Sequence, residues 1–172
     1  MVYTCKYKSS IGDILLATDE IGLIGLWFEG QKYFANTLPD EHIPQETEIL
    51  TETIKWLDMY FFGEEPNFTP PLHPSGSSFR QAVWQLLLQI PYGQTITYGE
   101  IARRVAEMQQ LSHMSAQAVG GAVGHNKVSI IIPCHRVVGA NGSLTGYAGG
   151  IDKKIALLEL EHADMSRLFI PG

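Results

Sequence analysis

Cys134 and His135 stand side by side in "IIIPCHRVVG", residues 130–139, where an apolar run passes through Pro133 into two side chains able to exchange a proton. A cysteine attacks as its thiolate, so a reactive one needs a base or a positive field beside it; an inert one is a small buried hydrophobe. In extended chain adjacent side chains point apart, but in a turn after proline they can converge. Nucleophile and packing residue both fit these residues alone. Cys5 is the only other thiol, so there is neither a C-x-x-C pair nor a disulfide framework, and a reducing compartment is expected.

Elements must position that pair. Residues 3–7, 13–18 and 23–28 read as strands between turn residues, a small antiparallel meander. Residues 46–62 carry apolar side chains at helical spacing and stop at Gly63, which gives a helix to cover the sheet. "GEEPNFTPPLHPSG", residues 63–76, has the composition of a linker and divides a domain over 1–75 from one over 76–172. Beyond it, Ser78 can cap a helix over 79–89. In "TYGE", Thr97 and Glu100 form a capping box that opens a helix to about residue 106 and sets Tyr98 on its first turn. A third helix, 115–124, reads "SAQAVGGAVG". Two adjacent glycines in a helix interior cost about 1 kcal/mol each against alanine, so close backbone approach is implied, either by a neighbouring element or by something outside the fold. A strand over 128–132, a hairpin turn at Asn141-Gly142 and a last helix over 152–162 complete the chain.

The 172 residues, 45% hydrophobic and 17% charged, suffice for a core in one domain or two small ones. No N-terminal stretch looks like a secretory leader and no apolar run approaches the ~20 residues of a membrane span, so a soluble, cytoplasmic protein with no membrane partner is expected. The net charge of −6 is unevenly spread. Residues 1–76 hold four Lys/Arg against twelve Asp/Glu, while residues 77–172 hold eight against six. A modestly positive face is therefore available on the second half only.

"PCHRVVGANGSLTGYAGG", with "TYGEIA" and "AVGGAVGHN" upstream and "LLELEH" downstream, resembles the O6-alkylguanine-DNA alkyltransferases, the methylated-DNA–protein-cysteine methyltransferases. The likeness runs in order and spacing over about residues 78–162, and "PCHRV" after an apolar segment is a highly specific signature. It implies an α+β fold: a small N-terminal antiparallel sheet with a helix, ribonuclease H-like, and a mainly helical C-terminal domain with a helix-turn-helix. It implies single-turnover DNA repair, in which Cys134 takes the alkyl group from guanine O6 irreversibly, with no cofactor. His135 is then the base, acting through a water, and Glu161 orients it; Asn126 braces the cysteine loop and Tyr98 donates towards guanine N3. Pro133, Val137, Tyr147 and Ala148 line the pocket. The partner is double-stranded DNA bearing O6-alkylguanine, met in the minor groove by the small-residue helix through Ser115, Ala116, Gln117, Gly120 and Gly121, with Lys127 and Arg136 as further DNA contacts. A monomer is the default.

The sequence departs from the family pattern at Gln117, where many members carry an arginine that fills the gap left by the flipped base. Lys127 stands where proline is common. Some members bind zinc through two cysteines and two histidines in the first domain, but Cys5 is the only cysteine there, so no metal is expected and His42, His73, His113 and His125 read as surface or loop histidines. Two other functions stay in view: a module that recognises alkylated DNA without transfer, and a cysteine hydrolase. The acceptor cysteine speaks against the first, and the small-residue helix with the "TYGE" tyrosine against the second.

Overall fold

Aliphatic and aromatic residues gathered between turn residues in the first thirty positions predict a sheet, and one forms. The computed structural model describes residues 1–171, and the chain divides into two compact units: Met1–Ser75 with Lys127–Ile131, and Gly76–Asn126 with the chain from Ile132 onward. In the first, β1 (Tyr3–Ser9), β2 (Gly12–Thr18) and β3 (Leu23–Phe28) pair antiparallel, with the two-residue β4 (Ile43–Pro44) added parallel to β1 in the order β3-β2-β1-β4. β4 is too short to leave a periodic signal and was not expected. Ile14, Leu16, Leu26 and Phe28 of the sheet are fully buried, as are Leu50, Leu57 and Tyr60 of α1 (Glu48–Phe61), which packs on β1 and β2. Thr47 caps that helix, its hydroxyl accepting from Leu50 N at 3.3 Å, a contact worth about 1 kcal/mol.

Residues 127–129 lie against β3: Leu26 N donates to Lys127 O at 2.8 Å and Ser129 N to Leu26 O at 3.1 Å. The strand expected over 128–132 does not continue from there. At Ile130 (φ 70) Ser129 O accepts from Ile131 N at 2.8 Å, a three-residue γ-turn with positive φ that is rare and strained for a β-branched residue. At Pro133 (φ −82, ψ 66) Ile132 O accepts from Cys134 N at 2.8 Å, an inverse γ-turn. An apolar run tells that a segment is buried, not that it is straight.

The second unit is built on α2 (Ser78–Leu87), α3 (Tyr98–Met108), α4 (Ala116–Gly124) and α5 (Ile151–Leu160). Ser77, one residue before the expected Ser78, caps α2 by accepting from Arg80 N at 3.2 Å. Trp84 of α2 is buried and its indole N–H donates to Ala122 O of α4 at 3.0 Å, which fixes the two helices in register. α3 and α4 pack on each other as the helix-turn-helix pair, with Ile101 and Val105 of the first and Val119 and Val123 of the second buried. Only half of the expected capping box forms: Thr97 accepts from Glu100 N at 3.1 Å, but the Glu100 carboxylate pairs with Arg103 at 2.6 Å and Arg104 at 3.2 Å instead of reaching back. Two guanidinium groups outbid one backbone amide. Asn141 (φ 61) and Gly142 (φ 89) make the expected turn, yet no hairpin follows. Val137–Val138 (β6) pairs parallel with Ile96–Thr97 (β5), and Ser143 bridges to Phe169. Val138, Leu144 and Leu158 form the core beneath, closed by Ile155, Ala163, Met165 and Leu168. Among the described residues no helix is long and apolar enough to cross a membrane.

Candidate active site

The inverse γ-turn at Pro133 delivers Cys134 into a 3-10 turn, Cys134–Arg136, all three of whose residues are buried. Asn126, buried after the end of α4, donates its side-chain N–H to Ile132 O at 2.8 Å, the same carbonyl that accepts from Cys134 N. One amide thus clamps the turn that presents the sulfur. Burial pushes the Cys134 thiol above its ordinary pKa, and four groups pull against that: an Asn126 side-chain hydrogen bond, the Lys154 charge, and the backbone N–H groups of Cys134 and His135. The resting residue is a thiol held in a field that favours its thiolate.

His135 is fully buried, and its Nε2 lies 2.5 Å from Glu161 Oε2. Glu161 is itself buried, and although burial alone would raise its pKa, hydrogen bonds and charge from His135 and Arg136 hold it well below the usual carboxylate range. An ionised carboxylate only accepts, so Nε2 carries the proton and Nδ1 bears the lone pair. Nδ1 is buried with no hydrogen-bond partner among the described residues. Desolvation holds the imidazole pKa below its ordinary value, against the pull of Glu161, so His135 is a neutral base at physiological pH. Glu161 Oε1 accepts from Arg136 Nε at 2.8 Å and from Gly93 N at 3.0 Å. Gly93 has φ 78, which its absent side chain permits.

A carboxylate so placed contributes stability present above the unfolded pKa and lost as pH falls through the depressed folded value. Glu161→Gln is therefore expected to lower stability by about 3–5 kcal/mol at pH 7, because Arg136 stays buried without its anion. The gap between variant and wild type should narrow steadily below pH 4.5. Urea unfolding from pH 7 to pH 3 measures both; a gap of constant size would place the stability elsewhere.

Tyr98 opens α3, and its hydroxyl donates to Thr145 O and Gly146 O, each at 3.3 Å. Burial, with a smaller contribution from the Cys134 charge, pushes its pKa up to about 12, so it holds its proton. A Cβ on Gly146 (φ 66) would stand 3.2 Å from that hydroxyl, so glycine keeps the tyrosine seated. Tyr147 is buried and Ala148 half-buried on the same loop. Val137 N donates to Cys134 O, and Val137 O accepts from Lys154 Nζ at 2.5 Å. The Cys134 and Val137 carbonyls thus each hold one internal donor and keep one lone pair.

Lys154 was not foreseen. Its side chain is fully buried, donating to Val137 O and, at 2.8 Å, to Thr145 O, and desolvation lowers its pKa to about 8. A signal existed: Lys154 lies four residues before Leu158 and seven before Glu161, on the buried stripe of α5.

Ser115, Ala116, Gln117 and Gly121 are exposed and Gly120 half-buried on α4, with Ser115 capping it by accepting from Ala118 N at 3.0 Å. Lys127 and Arg136, expected as further DNA contacts, are both buried. Lys127 is buried, its Nζ 3.4 Å from Asn36 Oδ1, and Arg136 is buried against Glu161; charge counts along a chain say nothing about where the charges go. Among the described residues no group of three or more His, Cys, Asp or Glu is placed to hold a metal ion.

Residues 78–163 match the family described as 6-O-methylguanine DNA methyltransferase, DNA binding domain, and residues 1–74 its ribonuclease-like domain. A methylated-DNA–protein-cysteine methyltransferase of Methanosarcina acetivorans is 45% identical over 93% of this chain and 98% of its own length. One from Haemophilus influenzae is 40% identical over 93% and 86%. Among solved structures, Mycobacterium tuberculosis OGT in complex with DNA superposes with a TM-score of 0.81 at 41% identity, covering 96% of this chain and 94% of that one. Mycobacterium tuberculosis O6-methylguanine methyltransferase matches with a TM-score of 0.79 at 41% identity over 99% and 97%. A buried cysteine beside a histidine–glutamate pair, next to a helix-turn-helix, is the framework of a DNA-directed alkyl acceptor; the chain belongs to the methylated-DNA–protein-cysteine methyltransferase family.

Proposed function

We propose that the protein repairs DNA by taking the alkyl group of O6-alkylguanine onto its own Cys134, once and irreversibly. The observation that carries this reading is a buried thiol followed in the chain by a buried, neutral imidazole whose Nε2 is bonded to an ionised carboxylate. His135 Nδ1 withdraws the thiol proton through a water, and Glu161 steadies the imidazolium that results. The thiolate attacks the alkyl carbon opposite the leaving oxygen. The C–O6 bond breaks as the S–C bond forms, and its electron pair passes into the guanine ring, where the Tyr98 hydroxyl supplies a proton at N3. The thioether is stable and no neighbouring group can cleave it, so the protein is consumed. Pro133, Val137, Tyr147 and Ala148 shape the pocket for the flipped base, and O4-alkylthymine is a second substrate to be tried. The division of labour is an N-terminal supporting unit and a C-terminal unit that binds DNA and reacts. We assign the protein to the cytoplasm, where the thiol stays reduced and DNA is at hand.

The DNA face is the exposed side of α4. A Cβ built on Gly120 would make only ordinary contact, 4.0 Å from Tyr98, and one on Gly121 would meet nothing within 4 Å, so packing inside the protein does not require these glycines. A minor groove about 6 Å wide does favour them. Gly121→Gln is therefore expected to stabilise the fold by about 0.5–1 kcal/mol in thermal unfolding while weakening duplex binding about tenfold. Stronger binding by the variant would move the DNA contact off this face. Gln117, exposed on the first turn of α4, can hydrogen-bond the orphaned partner base but stacks poorly. Gln117→Arg should accelerate repair of duplex DNA by several-fold more than reaction with free benzylguanine; equal effects on both would remove Gln117 from base flipping.

The reading is tested by incubating the protein with a large excess of duplex carrying radiolabelled O6-methylguanine. Uptake should cease at one equivalent; continued turnover would mark a hydrolase, and binding without uptake a recognition module.

A further inference from the structure

The buried carboxylate of Glu161 has two oxygens with different duties. Oε2 meets His135 Nε2 at 2.5 Å, while Oε1 is held from behind by Arg136 Nε at 2.8 Å and Gly93 N at 3.0 Å. Arg136 is fixed in turn: its Nη1 donates to Ile90 O at 2.7 Å and its guanidinium lies 5.7 Å from the centre of the Tyr92 ring. Ile90, Tyr92 and Gly93 all belong to the turn that follows α2. A planar, always charged guanidinium that bonds a carboxylate on one edge and a carbonyl on another cannot be replaced by a flexible ammonium without losing one of the two.

We propose that Arg136 is a positioning residue of the proton relay: it aims Glu161 Oε2 at His135 and offsets the negative charge that would otherwise keep a second proton on the imidazole. The charged groups facing that ring are Glu161, Arg136 and Lys154. With two cations against one anion, an imidazolium is a third buried cation, and the ring stays an empty base ready for the thiol proton. Without Arg136 the balance is one against one and the carboxylate is no longer shared, so the imidazole holds its proton to higher pH and the base form is depleted near neutrality.

This inference rests on the alkyl-transfer reading, and the test separates the two. Single-turnover rates with an O6-methylguanine duplex are measured from pH 5.5 to 9 for wild type, Arg136→Met and Arg136→Lys. The His135 ring is titrated by NMR in the same proteins without substrate. In Arg136→Met both the acid limb of the rate profile and the His135 titration should move up by about one pH unit, a tenfold change in the base fraction on the limb. Arg136→Lys keeps the charge but not the fork, so its limb should stay in place while its plateau falls about tenfold. A rate in Arg136→Met lowered by one factor at every pH, with the His135 titration unmoved, would overturn the proposal and leave Arg136 as structural packing. If that variant does not fold, Arg136→Lys decides: a displaced limb or a wild-type plateau overturns it. Failure of wild type to accept alkyl at any pH would instead remove the alkyl-transfer reading, and the NMR shift would still judge Arg136.

Discussion

Cys134→Ser is expected to end alkyl uptake, with a fall of at least about 10⁴-fold, while the folded protein still binds duplex DNA. A hydroxyl at this position cannot match the thiolate as a nucleophile, because neither the imidazole nor the Lys154 charge can bring a serine near ionisation at neutral pH. The substitution is close to isosteric in a buried site, so stability should change by only about 1–2 kcal/mol. Radiolabel transfer and a thermal melt on the same sample check both parts. Residual transfer above a few per cent of wild type would mean that another side chain, with Cys5 the obvious thiol, takes the alkyl group.

The second large effect belongs to Lys154. Its ammonium is one of the few groups that lower the Cys134 pKa against burial, and its two hydrogen bonds tie Val137 O to Thr145 O beside the tyrosine that shares the latter carbonyl. Lys154→Met removes the charge and keeps the bulk. The thiol pKa then rises further, and the transfer rate at pH 7.4 should fall about tenfold to a hundredfold, tenfold for each unit by which the thiol rises. The loss should shrink as pH is raised to 9, because Lys154, whose pKa is lowered to about 8, gives up its own charge in the wild type over that range. Pre-steady-state rates across that range provide the check; a deficit that stays constant with pH would assign Lys154 to packing of the loop alone.

Lys154 also marks the limit of what the sequence makes readable. The helices were legible because each carries a local signal: an apolar stripe, a capping hydroxyl at Thr47, Ser77, Thr97 or Ser115, a glycine or proline after the end. The meeting of His135 with Glu161 was legible only through the family resemblance, since 26 residues separate them and nothing local links the two. The apolar run before Cys134 was misread as a strand because its hydrophobicity reports burial, and burial here accommodates two γ-turns. The burial of Arg136 and Lys127 was not legible for a different reason: counting charges assumes that they are solvated, and a buried ion pair or an amide partner is invisible to the count. A lysine in an apolar stripe, read as an exception to be explained, would have pointed to the field around the thiol.

The small-residue helix shows the opposite case. Composition posed the question, close approach from inside or outside, and open space around the Gly121 Cβ favours the outside. A helix that forgoes about 1 kcal/mol of propensity at an exposed position, with no neighbour to explain it, is shaped for a ligand that comes from solution. In the function proposed above, the helix-turn-helix places that face and the chain couples a groove-sized probe to a buried acceptor.

The most direct measurement of the central claim is the intact mass of the purified protein after incubation with a duplex containing one O6-methylguanine, followed by peptide mapping. The account predicts a single mass gain corresponding to one methyl in place of the thiol hydrogen, confined to the Cys134 peptide and stopping at one per molecule. No mass gain, or a gain on a peptide without Cys134, would contradict it.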